Sequence, residues 1–125
     1  MVGQAVTTPH QFVYKVAPRT AWDAACRSGI YEGSADDIRD GFIHLSAPDQ
    51  VAGTLAKHFH GQDDLVLIQF ETRALGEALR WEVSRGGIFF PHLYAGLPTR
   101  QAVAIRALRL DRDGIPMLPQ DFATC

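Results

Sequence analysis

The sequence predicts an α+β domain: a small, mixed but mostly antiparallel sheet of five to six strands with two main helices. Three observations carry this. Leu65 to Phe70 is a nearly unbroken apolar run of strand length, suited to a central strand. Two windows, Trp22–Ala25–Cys26 and Val51–Leu55–Phe59, repeat apolar residues at helical spacing. Glycines and prolines divide the remainder into short β-rich segments.

Taken in order, Phe12 to Val16 reads as the first strand. Pro18 opens a helix whose inner face carries Trp22, Ala25 and Cys26, and Gly29 stops it. Tyr31 to Asp40 reads as a polar connector. Gly41 to Leu45 is a short strand, and Ser46-Ala47-Pro48-Asp49 opens the second helix in the manner of a capping box. Gly61 ends that helix. After the central strand, Leu75 to Ala78 forms a turn of helix and Leu79 to Val83 a strand. Ser84 to Gly87 is a loop with two permissive glycines. Ile88 to Leu93 contains Pro91, which places it at an edge or bulge. Val103 to Leu110 is the last strand, with a bulge near Ala107 to bring Val103 and Ile105 into phase with Leu108 and Leu110. The opening strand–helix–strand segment suits a crossover unit, and the later strands suit antiparallel pairing.

A chain of 125 residues is one domain in size and buries enough surface for a core without staples. Residues 11–110 form that domain, with 1–10 and 111–125 as terminal extensions. The net charge of −2 gives no field for broad nucleic-acid binding. Cys26 and Cys125 make no disulfide framework and read as a buried core thiol and a terminal one. No apolar run is long enough to span a bilayer, and residues 1–10 lack the pattern of a secretory signal. The expected location is the cytoplasm, with no membrane partner.

Polar groups inside apolar strands mark the candidate site, because burial without a partner is costly. His44 lies between Ile43 and Leu45, and strand alternation puts it on the opposite face, beside Phe42. His92 lies between Pro91 and Leu93. Each histidine is followed two residues later by a hydroxyl, Ser46 and Tyr94. Each also has a plain alternative, an imidazole that satisfies a backbone carbonyl. Ser46 is either a helix cap or part of an anion site. Glu82, between Trp81 and Val83, either pairs with Arg85 or acts on a ligand. His58-Phe59-His60 does not place its imidazoles on one helical face, so no metal site is expected.

Four stretches together are familiar: Val13-Tyr14-Lys15-Val16, Gly41 to Ser46, Leu79-Arg80-Trp81-Glu82 and Phe90-Pro91-His92-Leu93-Tyr94. From about Phe12 to Leu108 they closely resemble the bacterial family known as domain of unknown function 952 (DUF952). That family in turn resembles the ADP-ribosyltransferase fold, and within it the RNA 2′-phosphotransferases, whose strand motif is His-x-His-Leu-Ser. The matching stretch here is Phe42-Ile43-His44-Leu45-Ser46, with Phe42 in place of the first histidine. The resemblance implies an ADP-ribosyltransferase-like fold and an enzyme acting on NAD or an ADP-ribose-like nucleotide, a transferase of ADP-ribosyl or phosphoribosyl type. Its catalytic residues would be His44, Glu82 and His92. Tyr14, Ser46, Arg85 and Tyr94 would bind the substrate. NAD would enter as substrate, and no cofactor would be required. Two alternatives stay open. One is a non-catalytic module for a nucleotide or small phosphorylated metabolite. The other is a protein-interaction domain using Phe89, Phe90 and Leu97.

Overall fold

The computed structural model describes residues 10–122, the side chain of Arg85 excepted. In chain order its strands are β1 (Phe12–Pro18), β2 (Ile30–Tyr31), β3 (Ile43–His44), β4 (Leu65–Glu71), β5 (Leu79–Val83), β6 (Phe89–Leu93), β7 (Leu97–Pro98), β8 (Ala104–Ala107), β9 (Arg109–Leu110) and β10 (Pro116–Met117). The helices are α1 (Arg19–Ser28), α2 (Ala35–Asp40), α3 (Val51–His58) and the single turn α4 (Thr72–Leu75).

β4 lies between β1 and β8, antiparallel to both, with Val13 opposite Phe70 and Ile68 opposite Ile105. Its side chains alternate between two separate cores. Val66, Ile68 and Phe70 join Val13, Ala17, Trp22, Ile43 and Leu93 on one face. Leu65 and Leu67 join Tyr14, Val16, Val51 and Leu55 on the other. A strand covered on both faces needs an apolar residue at nearly every position, which is why the run from Leu65 to Phe70 is nearly continuous. α1 covers the first face through Trp22 and Ala25, and α3 covers the second through Val51 and Leu55.

A second three-stranded sheet has the order β3–β6–β5, and β2–β7 and β9–β10 form two short pairs. All described pairings between named strands are antiparallel. The expected single sheet of five to six strands is therefore divided into smaller ladders. The opening crossover unit is absent among the described residues, because β1 pairs with β4 and β2 with β7.

Several local expectations change for identifiable reasons. The supposed connector from Tyr31 to Asp40 holds β2 and α2. Ser34 caps α2 by accepting from the Asp37 backbone, and Asp37 accepts in return from the Ser34 backbone. Ser46 caps nothing; Gln50 instead accepts from the Ala47 backbone at the start of the turn Pro48–Gln50. Cys26 is exposed, one step off the buried stripe of Trp22 and Ala25, and Cys125 lies outside the described residues.

Pro91 sits in the central strand β6 rather than at an edge. Its carbonyl accepts from Leu45, so its missing N–H faces the same side, where β3 has already ended at His44. The pairing passes Leu45 through this single bond, without the reciprocal one that a proline cannot donate. The last strand does break near the expected bulge: β8 ends at Ala107, and Leu108 turns inward, buried, before β9. The chain after Asp111 packs as a strap, with Leu118 and Phe122 against the second core. Among the described residues, no helix is long and apolar enough to cross a membrane.

Candidate functional site

Strand alternation along β1 directs Val13, Lys15 and Ala17 toward the first core. Lys15 thus carries an ammonium into an apolar layer, and Asp37 on α2 meets it. Lys15 Nζ donates to Asp37 Oδ2 at 2.8 Å and to the His44 carbonyl at 3.0 Å. The pair is 7% and 2% exposed, so neither charge has adequate water. Asp37 collects three more donors: the Ser34 backbone at 2.8 Å, the His44 backbone at 3.1 Å and His44 Nδ1 at 2.6 Å.

These donors decide the charge of Asp37. Burial works against its ionised form. The hydrogen bond from His44, the charge and hydrogen bond of Lys15 and the Ser34 N–H outweigh that, so its pKa is held well below the usual carboxylate range. Burial pushes the Lys15 ammonium down, opposed by the charge of Asp37. Gly33 leaves room for this hub. Its φ is +114°, and a Cβ there would lie 2.7 Å from the Cβ of Asp37.

His44 has a second carboxylate. Its Nε2 lies 3.0 Å from Asp40 Oδ2, while Asp40 also accepts from Arg39 Nε at 3.0 Å. Donating to both carboxylates at once requires a proton on each ring nitrogen.

His44 and His92 are register partners of β3 and β6, so both imidazoles project from one face of the sheet. Their ring centroids are 5.7 Å apart. His92 Nδ1 lies 2.8 Å from Glu82 Oε1, and the Tyr94 hydroxyl donates to the same oxygen at 2.7 Å. These hydrogen bonds, from His92 first and then Tyr94, hold Glu82 below its ordinary pKa, and the bond to Glu82 raises that of Tyr94. Phe42 stacks on His92 at 4.0 Å and contacts the rings of His44 at 4.6 Å and Tyr94 at 5.3 Å. The phenyl ring of Phe42, at the first position of the Phe42–Ser46 stretch, therefore packs the two imidazoles.

A cavity of about 320 Å³ opens over this arrangement, large enough for a small ligand. His44, His92, Lys15, Tyr14, Ser46 and Asp40 are among its lining residues. Backbone bonds in both directions between Tyr14 and Ser46 join β1 to the segment after β3 at this point. Burial raises the Tyr14 pKa. The Ser46 hydroxyl bonds the Thr54 hydroxyl at 3.0 Å.

The expected site residues are thus partly gathered. His44, His92, Tyr14 and Ser46 line the cavity. Glu82 and Tyr94 stand behind His92 and connect to the cavity through it. The side chain of Arg85 lies outside the described residues. Leu97 is fully buried in the first core, which removes it from an exposed partner surface. Lys15, Asp37 and Asp40 were missed. Ser34-x-x-Asp37 is a readable capping signature, and Lys15 between Tyr14 and Val16 is a charge inside an apolar strand. Among the described residues, no group of three His, Cys, Asp or Glu side chains is placed to hold a metal ion.

The family model described as a protein of unknown function, DUF952, matches residues 16–105. The chain belongs to this family. A crystal structure of protein CC0527 from Caulobacter crescentus is 51% identical, with a TM-score of 0.83 over 85% of this chain and 93% of that one. The solution NMR structure of CC0527 is also 51% identical, with a TM-score of 0.76 over 84% and 90% of the two chains. No curated protein matches.

Proposed function

We propose that this DUF952 chain binds NAD or an ADP-ribose-like nucleotide in the cavity and acts on it at the His44–His92 pair. One observation carries the reading: two histidines face one cavity from adjacent strands, and a carboxylate fixes Nδ1 of each. Such dyads set ring orientation; at His44 the far nitrogen is held by Asp40, and at His92 it is left to face a ligand. Among the described residues, Nε2 of His92 has no hydrogen-bond partner. The resemblance of Phe42 to Ser46 to the motif of the RNA 2′-phosphotransferases supports the nucleotide class and an ADP-ribosyltransferase-like ancestry.

In this reading His92 Nε2 and the hydroxyls of Tyr14 and Ser46 bind ribose hydroxyls. The C1′–N bond breaks, with its electron pair leaving on nicotinamide. Asp40 and the Glu82-backed His92 stabilise the oxocarbenium-like ribose until water, or the hydroxyl of an acceptor, adds at C1′ and gives up its proton to solvent. Glu82 acts through His92.

Binding without turnover is a second reading. It is favoured by Asp40, which occupies the Nε2 of His44 that a proton-transferring group would need free.

Titration with NAD, ADP-ribose and a 2′-phosphorylated nucleotide, beside His44→Ala, tests the proposal. Saturable binding that the folded variant loses, followed by release of nicotinamide from NAD, is expected. Binding without release selects the second reading. No binding to any of the three removes both.

A further inference from the structure

The row that contains the two histidines has a third member. Arg80 on β5 is the register partner of His92, which is the partner of His44 on β3. Directly opposed residues of antiparallel strands share a face, so Arg80, His92 and His44 project side by side. With strands about 4.8 Å apart, the ends of this row are roughly 10 Å apart at the backbone. A nucleotide bound at His44 and His92 would extend across that distance.

The cations around the site differ in what they already hold. Lys15 is committed to Asp37 and the His44 carbonyl. Arg39 is committed to Asp36 and Asp40. Arg80 makes no hydrogen bond or ion pair among the described residues. Its guanidinium lies 4.8 Å from the centroid of the Tyr94 ring, and the Tyr94 hydroxyl is tied to Glu82. Stacking of this kind limits the motion of the planar group while leaving its edge donors available.

We propose that Arg80 is an anion anchor, holding a phosphate-type oxyanion of a ligand whose sugar lies against His92 and His44. A guanidinium matches such an oxyanion with two parallel N–H···O bonds. Glu82 is on the same face and repels an anion placed nearer to it, so the donors of Arg80 also set which side of Tyr94 the anion occupies. The ligand's nucleotide identity rests on the function proposed above. The anion site does not depend on it, because inorganic pyrophosphate carries the same group.

The experiment is an NMR titration of the side-chain Nε–Hε signal of Arg80, assigned by its absence from Arg80→Gln. Inorganic pyrophosphate and ADP-ribose are added separately to wild type, Arg80→Gln and Arg80→Lys, and affinity in all three is read from backbone amide shifts, the Arg80 signal locating the anion in wild type. Saturable shifts at Arg80 with both ligands are expected. Loss of the charge-assisted pair in Arg80→Gln should weaken binding of both roughly tenfold or more. Arg80→Lys should recover part of it. Pyrophosphate shifts at Arg80 without ADP-ribose binding would uphold the anchor and remove the nucleotide reading. Absence of pyrophosphate shifts at Arg80, or equal affinities in wild type and Arg80→Gln, would overturn the anchor. Unchanged thermal unfolding of Arg80→Gln shows that the comparison is between folded proteins.

Discussion

His44 and His92 are directly opposed across β3 and β6, with ring centroids 5.7 Å apart, and each presents Nδ1 to a different carboxylate. The two carboxylates differ in setting. Asp37 is buried and neutralised by Lys15, whereas Glu82 is partly exposed and shared with Tyr94. Histidine orientation is thus over-determined on one side of the pair and adjustable on the other. His92→Ala should abolish ligand binding. Glu82→Gln keeps the shape and one acceptor, so it should weaken binding less. Calorimetric titration of both variants decides this, and a Glu82→Gln loss equal to that of His92→Ala would place Glu82 in direct contact with the ligand.

The Asp37 hub carries more of the stability than its helix length suggests. Asp37→Ala strands a buried ammonium at Lys15, opens the α2 capping box and frees His44 Nδ1. Removing one partner of a buried ion pair costs about 3–5 kcal/mol. The expected fall in thermal midpoint is roughly 10 °C or more. Lys15→Met with Asp37→Leu removes both charges together and should recover much of that loss. A double variant no more stable than Asp37→Ala would show that the other bonds of Asp37 matter more than its charge pair.

Acid should unfold the protein through the same residue. The folded pKa of Asp37 lies below its unfolded value, near 4. Between those values the unfolded chain binds more protons, so stability falls as pH falls. The contribution of Asp37 is complete above about pH 4 and is lost as pH drops toward the folded pKa. Denaturant unfolding at a series of pH values should show this acid limb in wild type and a shallower one in Asp37→Asn. Parallel limbs would assign the acid sensitivity to other carboxylates.

How far the sequence could reveal this depended on the range of each interaction. β4 was readable because burial on both faces demands apolar residues in succession. His44 was readable because Ile43 and Leu45 on either side are apolar and its own face must differ. The role of Asp37 was not, since its partners lie 22 residues before it and 7 after it. Only its capping-box spacing is local. The opposition of His44 and His92 depends on strand register, which local periodicity does not determine. Pro91 misled for a related reason. The rule against proline in a central strand assumes a full ladder on both sides, whereas β3 stops at His44 and only the Leu45 N–H reaches the Pro91 carbonyl beyond it.

The strap after β9 offers a separate handle on the cavity. Phe122 meets the ring of Tyr14 edge-on at 5.1 Å, and Tyr14 lines both the main cavity and a smaller one of about 150 Å³ beneath the strap. Arg106 pairs twice with Asp121 beside it, but that pair is exposed and screened by solvent. The apolar contact should therefore dominate. Phe122→Ala should destabilise the domain by about 1–2 kcal/mol through lost burial and weaken ligand binding by freeing the Tyr14 ring. Asp121→Asn should change neither by a measurable amount. Denaturant unfolding and calorimetric titration of the two variants separate the effects. A loss of stability in Phe122→Ala with ligand affinity intact would confine the strap to a structural role, whereas loss of both would make Tyr14 the link between the strap and the site.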